Sequence, residues 1–346
     1  MKRILVRLAL ALGALAAAAV AAELLVERLD VYGVHYYGDV QQYQWHAIEA
    51  APPEEISATG RIFQNRPDVH LVLTHFEYRT DARRLRAGAA AAAPAKGAMP
   101  VLFLGDSVTL GWGVDDEASW PRLLERRARA PDGRPLAALN AGHLMYDTTQ
   151  EASLLRAIGP ELRPELVILT YNFNDLHPTW DQLLELDLPE TVPPAGEGGE
   201  GAPAQGGGLD WSDNPVKQFF WGLRNLWRYR QDLERLAHAD RSTFPPYSYY
   251  PSGWPRCATA LDDVRKTCAS LGAKLVINDH SFPAVPELPR WCEEHGVTRV
   301  ASALPEDDQR RYRNSAIDTH LNAAGNAVVA EAVLEQLAAL GILRRE

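Results

Sequence analysis

From Pro100 onward, short apolar runs alternate with longer segments in which apolar residues recur at helical spacing. The apolar runs predict strands over residues 101–106, 136–141, 166–172, 274–279 and 297–301. The helical spacing predicts helices near residues 119–129, 148–159, 214–238, 256–271 and 323–340. Such an alternation is typical of parallel βαβ units, in which helices cover both faces of a buried sheet.

The chain before and between these units is less regular. Residues 69–74 alternate enough to predict a strand, and an Ala/Gly/Pro tract from Arg86 to Met99 predicts a surface linker. Pro189 to Leu209 is rich in Gly, Pro and Glu, which favours a mobile loop. The aromatic segment 219–229 is interpreted as a helix packed on the domain, with a lid or acyl-binding surface as the alternative. We therefore divide the chain into an N-terminal helix (1–28), an extension and linker (29–99) and a main domain (100–346).

The N-terminus combines basic residues with a long apolar stretch. Lys2, Arg3 and Arg7 precede or interrupt the apolar residues from Ile4 to Ala22, a pattern typical of a signal peptide or a membrane anchor. The helical pattern continues without a break beyond this stretch, which favours an uncleaved anchor over a cleaved peptide. In either case we expect the main domain to lie outside the cytoplasm, in the periplasm or the extracellular space.

The net charge and the cysteine spacing argue against certain partners and cross-links. A net charge of −10 without a compensating basic face argues against a nucleic-acid partner. Cys257 and Cys268 share one predicted helix about 16 Å apart along its axis, which is too far for a disulfide. Either of them could pair with Cys292, and three free buried thiols are equally consistent with the sequence. The spacing of the cysteines does not resemble a zinc site.

Candidate chemistry lies at the end of the first strand of the main domain. Gly105-Asp106-Ser107 directly follows a buried apolar run, and parallel α/β sheets place their ligands at this carboxyl end. A serine becomes a nucleophile when a base takes its proton and a third group orients that base. Asp318 and His320 supply such a pair, because alternate side chains of an extended segment point the same way. The sequence therefore predicts a Ser107–His320–Asp318 catalytic triad.

Four blocks in order along residues 100–340 resemble the SGNH (also called GDSL) hydrolase family. The matching blocks are Gly105-Asp106-Ser107, Asn140-Ala141-Gly142, Asn174-Asp175 and Asp318-Thr319-His320. The resemblance implies a flavodoxin-like three-layer α/β/α sandwich with a five-stranded parallel sheet, and it implies no metal and no organic cofactor. The Gly-x-Ser-x-Gly elbow of the α/β-hydrolase fold is absent from the serine block.

Acyl transfer also needs donors for the oxyanion that develops on the substrate carbonyl. We predict three: the Ser107 N–H, the Gly142 N–H, where a missing side chain would let substrate approach, and the Asn174 side-chain amide. All three follow predicted parallel strands, so the fold can bring them together. Asp106 is interpreted as structural, bonding to backbone around the site.

Two departures from the family pattern stand out. The third block usually reads Gly-x-Asn-Asp, but its first position here is Asn172. The last block spaces its acid and base as Asp-x-His, which is similar to exported polysaccharide-modifying relatives and favours O-acyl esters of sugars. Three further histidines follow predicted strands: His143, His177 and His280. Of these, His280 is the best candidate for contact with the substrate.

The expected function is a serine ester hydrolase acting through an acyl-enzyme on a small-molecule or glycan acyl ester. One alternative is an O-acetyltransferase that passes the acyl group to an exported polysaccharide. The other is a glycan-binding or scaffolding module that retains the site without turnover. Product analysis with a labelled acyl donor distinguishes the acetyltransferase from the hydrolase. Failure to react with a fluorophosphonate would favour the module without turnover.

Overall fold

A computed structural model describes residues 2–29, 33, 35–51, 61, 63–89, 95–176, 253–281, 284–302, 304, 310–315 and 317–346. The expected loop at 189–209, the expected helix at 214–238, the aromatic segment and His177 lie outside these residues.

The described residues of the N-terminal part form two helices and two short hairpin-like strand pairs. Helix α1 spans Lys2–Leu29 and α2 spans His35–His46. Strand β1 (Ile48–Ala50) pairs antiparallel with β2 (Phe63–Asn65), and β3 (His70–Val72) pairs antiparallel with β4 (Glu77–Arg79). The strand predicted at 69–74 is therefore present. The expected membrane anchor falls on α1; within the described part of the chain, no helix is both long enough and apolar enough to cross a bilayer.

The main domain alternates strands and helices. Among the described residues, its helices and strands are β5 (Met99–Leu104), α3 (Ser107–Leu110), α4 (Trp120–Arg127), β6 (Ala128–Arg129), β7 (Leu136–Asn140), α5 (Thr148–Leu162), β8 (Leu166–Tyr171), α6 (Trp254–Leu271), β9 (Lys274–Asp279), α7 (Glu287–Glu294), β10 (Thr298–Ala301), α8 (Ala323–Ala339) and β11 (Arg344–Arg345). Five of the strands form one parallel sheet in the order β10-β9-β8-β5-β7. The predicted α/β fold with a five-stranded parallel sheet is confirmed.

Two apolar cores lie on opposite faces of the sheet, because successive side chains of a strand point to opposite sides. In β5, Leu102 and Leu104 join the core formed with α5, α6 and α7. Val101 and Phe103 join the core formed with α4 and α8. The result is three layers, and both faces of β5 are buried. This explains why its sequence is an unbroken apolar run.

The N-terminal extension packs into the first of these cores. Tyr43 of α2, Phe63 of β2 and Tyr78 of β4 are buried in the same cluster as Leu102. Arg86, the first residue of the expected surface linker, is buried instead, and its guanidinium donates to the carbonyls of Leu110, Gly111 and Val114. An isolated bridge also joins Arg86 to Asn140 at the end of β7. The extension is thereby joined to the turn that carries Ser107.

The three cysteines are free and buried. Of the alternatives that the sequence left open, three unpaired thiols is the one observed. Cys257 donates to the carbonyl oxygen of Asp175 at 2.7 Å, which ties α6 to the turn after β8.

Candidate active site

Ser107 is held at the sharp turn between β5 and α3. Gly105 has a φ of +149°, and a Cβ there would lie 2.2 Å from Thr109 Oγ1, so only glycine fits. Asp106 caps α3 by accepting from the Val108 N–H at 2.8 Å. Ser107 is then the first residue of a four-residue helix that ends at Gly111. Ser107 therefore lies on a hydrogen-bonded turn at the carboxyl edge of the sheet.

The structure brings the three predicted triad residues together across the length of the main domain. His320 Nε2 lies 2.9 Å from Ser107 Oγ, and His320 Nδ1 lies 2.6 Å from Asp318 Oδ1. Burial alone would raise the pKa of Asp318, but His320 and the hydrogen bonds to the carboxylate lower it below its ordinary value. An ionised Asp318 can only accept, so Nδ1 carries the proton and Nε2 accepts from the Ser107 hydroxyl.

The segment that carries the acid and the base is fixed by its own hydrogen bonds. Asp318 N–H donates to Ser315 Oγ at 2.8 Å, and Ser315 N–H donates back to the Asp318 carbonyl at 2.9 Å. Asn314 Nδ2 donates to the second carboxylate oxygen of Asp318 at 3.0 Å. Asn322 then caps α8 by accepting from the Gly325 N–H. The carboxylate is thus oriented before any substrate binds.

The predicted oxyanion donors lie at the ends of three adjacent strands, β7, β5 and β8. The Gly142 N–H already donates to Asn140 Oδ1 at 3.0 Å. A Cβ on Gly142 would lie 2.3 Å from the Leu110 nitrogen, a constraint on this position that the sequence did not reveal. The close approach is made by the backbone of α3. This approach packs the end of β7 against the turn that carries Ser107. Asn140 Nδ2 stabilises the same contact by donating to the Thr109 carbonyl at 3.0 Å.

Asn174 is oriented by Asp106. Its Nδ2 donates to Asp106 Oδ2 at 3.0 Å, while its Oδ1 is buried without a hydrogen-bond partner among the described residues. An Asn amide carries two hydrogens, so one bond to Asp106 fixes the direction of the other. From the sequence, Asp106 is interpreted as structural, bonding to backbone around the site. The bond from the Val108 N–H fits that interpretation, and the bonds from the asparagine side chains were not predicted.

The departure at Asn172 adds a donor to the same carboxylate. Asn172 Nδ2 lies 3.3 Å from Asp106 Oδ2, and its N–H donates to Asp175 Oδ2 at 2.7 Å. The third block therefore packs around Asp106 from two positions. Burial is the main cause that raises the pKa of Asp106, and the hydrogen bonds from Val108, Asn172 and Asn174 oppose that rise.

Further carboxylates are buried behind this turn. Asp175 Oδ1 accepts from the Thr148 hydroxyl at 2.6 Å, and burial raises the pKa of Asp175 to about 8. Both carboxylate oxygens of Glu151 are buried without a hydrogen-bond partner in the described part of the structure. Burial, followed by the nearby Asp175, raises the pKa of Glu151 well above its ordinary value. Across the described residues, no group of three or more His, Cys, Asp or Glu side chains is placed to hold a metal ion.

Two other histidines make hydrogen bonds away from Ser107. His143 Nδ1 lies 3.0 Å from the Ala141 carbonyl, and its Nε2 accepts from the Asn65 N–H at 3.2 Å. Burial lowers the pKa of His143 to about 3, so it stays neutral. His280 Nδ1 lies 3.0 Å from the Ser302 carbonyl, and burial lowers its pKa to about 4. Both rings are held by structural contacts, and substrate contact by His280 remains a prediction.

Aromatic rings flank the imidazole, a feature that no sequence motif signalled. The ring centroid of Tyr36 lies 5.8 Å from that of His320, and the ring centroid of Trp112 lies 6.3 Å from it. Trp112 is buried, and Tyr36 is half-buried. The first comes from the glycine-rich segment after the serine block, and the second comes from α2 in the N-terminal extension.

Comparison with solved structures finds several esterases at low sequence identity. The psychrotrophic esterase EstA from Pseudoalteromonas sp. is 12% identical with a TM-score of 0.40, over 70% of this chain and 97% of that one. A two-domain esterase active on acetylated mannans is 14% identical with a TM-score of 0.40, over 72% of this chain and 51% of that one. The family 3 carbohydrate esterase of Clostridium thermocellum is 14% identical with a TM-score of 0.38, over 70% of this chain and 97% of that one.

No curated protein sequence matches the chain. The family model of the GDSL-like lipases and acylhydrolases does match, over residues 103–328, which is more than half of the chain and includes Ser107, Asn174 and His320. The chain therefore belongs to the GDSL-like lipase/acylhydrolase family, whose members hydrolyse esters.

Proposed function

We propose that the protein is a serine ester hydrolase that works through an acyl-enzyme, with Ser107 as nucleophile, His320 as base and Asp318 as the orienting acid. The observation that carries this proposal is the continuous chain of hydrogen bonds from Ser107 Oγ to His320 and from His320 to Asp318. Catalysis by a nucleophile and base needs this contact within about 2.6–3.2 Å, and both distances satisfy that range.

The chemistry follows from these contacts. Ser107 Oγ attacks the ester carbonyl while its proton passes to His320 Nε2, and the imidazolium is stabilised by the ionised Asp318. The Ser107 N–H, the Gly142 N–H and the second hydrogen of Asn174 Nδ2 are the proposed donors to the oxyanion. His320 returns the proton to the leaving alcohol, and the acyl group stays on Ser107. Water then attacks the acyl-enzyme, gives its proton to His320, and releases the acid as Ser107 regains its hydrogen.

The proposed substrate is an O-acyl ester of a sugar or a similar small alcohol. The support is the Asp318-x-His320 spacing, which is similar to exported polysaccharide-modifying relatives. An acyl-enzyme can pass its acyl group to water or to a sugar hydroxyl. Incubation with isotope-labelled acyl donor and candidate glycans, followed by mass spectrometry, distinguishes labelled free acid from labelled glycan.

The activity test uses the full-length protein and p-nitrophenyl esters of increasing acyl length. We expect Ser107→Ala and His320→Ala to lower kcat by about 10⁴-fold or more. A fluorophosphonate should label the wild type and fail to label Ser107→Ala. Cys268→Ala is the matched control, because that thiol is buried in the apolar core on α6, and the variant should retain activity. Full activity in Ser107→Ala would refute the nucleophile assignment.

We infer that the N-terminal segment exports the main domain from the cytoplasm. The support is the run of basic residues followed by the apolar stretch from Ile4 to Ala22. Replacing Leu10 and Leu12 together by Arg should retain the protein in the cytoplasm, because two charges break the apolar stretch. The measurement is protease accessibility in bacterial spheroplasts. Accessibility that is equal in both proteins would contradict the proposal.

A further inference from the structure

The N-terminal extension places a side chain beside the catalytic base, His320. Tyr36, near the start of α2, places its ring centroid 5.8 Å from the His320 ring, with the two planes inclined by 39°. Tyr36 lies outside residues 103–328, the part that matches the family. Its position beside the base is therefore a property of this chain's own extension.

A second contact fixes the extension against the loop of the catalytic acid. Gly33 has a φ of +82°, and a Cβ there would lie 1.9 Å from Ser315 Oγ. Ser315 Oγ in turn accepts from the Asp318 N–H. The Tyr36 N–H donates to the Gly33 carbonyl at 3.2 Å, so the start of α2 is tied to that same loop. The backbone of Tyr36 is thus held close to the segment that carries Asp318 and His320.

Tyr36 packs against the ring of Trp112. The two rings meet edge to face with centroids 6.5 Å apart, and Trp112 is itself packed against Tyr43 at 5.5 Å and Phe76 at 5.2 Å. Trp112 is 1% exposed, so it has no surface to offer a substrate. Tyr36 is half-buried, so part of this residue stays accessible to solvent, and its ring packs near the imidazole.

The direction of proton transfer says which part of the substrate lies near Tyr36. His320 Nε2 receives the Ser107 proton and must hand it to the oxygen of the leaving alcohol. That oxygen must therefore come within hydrogen-bond distance of Nε2, and the remainder of the alcohol must pass beside the imidazole. The acyl chain extends from the other side of the carbonyl carbon. A ring packed beside the imidazole consequently borders the alcohol and not the acyl group.

We propose that Tyr36 is a specificity-determining residue for the alcohol portion of the ester, and that it selects a sugar ring over a flexible aliphatic alcohol. This inference rests on the proposed function. A tyrosine offers a flat apolar face with a polar tip, which matches a ring that is apolar on its faces and hydroxylated at its edge. The ring also packs against the rings of Trp112 and His320, and a preorganised contact of this kind loses little conformational entropy when the alcohol binds.

The test varies the alcohol and the acyl group separately. With acetate as the common acyl group, kcat/KM is measured for glucose pentaacetate and for ethyl acetate. With p-nitrophenol as the common alcohol, it is measured for acetate and butyrate. We expect Tyr36→Ala to lower the sugar-to-ethyl ratio about 10-fold, the size of a lost ring contact, and to leave the acetate-to-butyrate ratio within about 2-fold. Tyr36→Phe should retain most of the sugar preference, because it keeps the ring.

The control is Tyr43→Phe on the same helix. Tyr43 donates to Asn65 Oδ1 at 2.8 Å, so this variant weakens the packing of α2 while it leaves the ring beside His320 in place. It should leave both ratios unchanged. If Tyr36→Ala does not fold, Tyr36→Leu replaces it, because leucine fills the space without a flat ring.

Three results would overturn the inference: an unchanged sugar-to-ethyl ratio in the Tyr36 variants, a change in acyl preference instead, or the same shift in Tyr43→Phe. The failure of the proposed function is recognised separately. If the wild type hydrolyses no ester, or if its hydrolysis survives Ser107→Ala, the proposed function fails and this inference fails with it. If hydrolysis depends on Ser107 but not on Tyr36, only this inference is wrong.

Discussion

Replacing Asp106 by Asn tests whether this buried carboxylate orients the oxyanion donor. Asp106 Oδ1 accepts from the Val108 N–H at 2.8 Å, and Oδ2 accepts from Asn174 Nδ2 at 3.0 Å and Asn172 Nδ2 at 3.3 Å. An asparagine can keep the first bond through its own oxygen. Its NH₂ group would then face two other NH₂ groups, and a donor cannot bond to a donor. Asn174 must turn away.

Two magnitudes follow from this geometry. Loss of one oxyanion donor lowers kcat by about 10²–10³-fold, or roughly 3 kcal/mol in the transition state. The free energy of unfolding should fall by less than this loss of transition-state stabilisation. Hydrogen bonds to a charged group contribute about 1.5–3 kcal/mol each, but the substitution also removes a buried charge. We therefore expect a net loss of about 1–2 kcal/mol in the free energy of unfolding.

The assay is a double-mutant cycle of Asp106→Asn and Asn174→Ala, with kcat measured on p-nitrophenyl acetate and stability measured by urea unfolding. If Asp106 acts through Asn174, the double variant should be no slower than Asn174→Ala alone. Asp147→Asn is the matched control, since Asp147 is also a buried helix cap and accepts from the Gln150 N–H at 3.0 Å. It should reduce stability and keep kcat. Independent, multiplicative effects of the two substitutions, or full kcat in Asp106→Asn, would refute the reasoning.

Three further outcomes are expected. Burial raises the pKa of Glu151, so the folded protein holds a proton that the unfolded chain releases, and the free energy of unfolding falls as pH rises. Glu151→Gln should therefore raise the free energy of unfolding in urea by about 1 kcal/mol at pH 8 and by less at pH 5. An equal gain at both pH values would count against this explanation. Asn172→Gly should change kcat less than 10-fold, because its bond to Asp106 is the longer of the two asparagine bonds to that carboxylate. A loss of kcat as large as that of Asn174→Ala would contradict this expectation. Burial raises the pKa of all three cysteines to about 12, so Ellman's reagent at pH 8 should titrate no thiol in the native protein and three in urea, and rapid native labelling would contradict this.

The sheet and the triad were predictable because their signals are local. A strand buried on both faces must be apolar throughout, and Val101 to Leu104 is such a run. Polar residues directly after these runs fall at one edge of a parallel sheet whatever the loop lengths between them. Ser107 could therefore be placed near Asn174 before the fold was known. His320 was recognised because its acid partner, Asp318, is only two positions away in the sequence.

The contributions of the extension could not be predicted, because they are contacts between distant parts of the chain. Strands β1, β2 and β4 are three residues long each, too short for a pattern to stand out, and only β3 fell within a predicted strand. Arg86 looked like the start of a surface linker, yet it is buried against the carbonyls at the end of α3. Tyr36 carries no motif, and only the packing of α2 brings it to the imidazole.

The two proposed oxyanion donors beyond Ser107 are prepared in different ways. Asn174 has two amide hydrogens, and Asp106 takes one, so the other is directed without being used. Gly142 has a single N–H, and Asn140 Oδ1 occupies it. A neutral amide oxygen is a weaker acceptor than an oxyanion, so the developing charge can draw this N–H away from Asn140. The ester carbonyl oxygen of the ground state is neutral and competes poorly with Asn140 Oδ1 for this N–H. The Gly142 bond therefore strengthens mainly as the transition state forms, and an interaction of that kind raises kcat without tightening substrate binding.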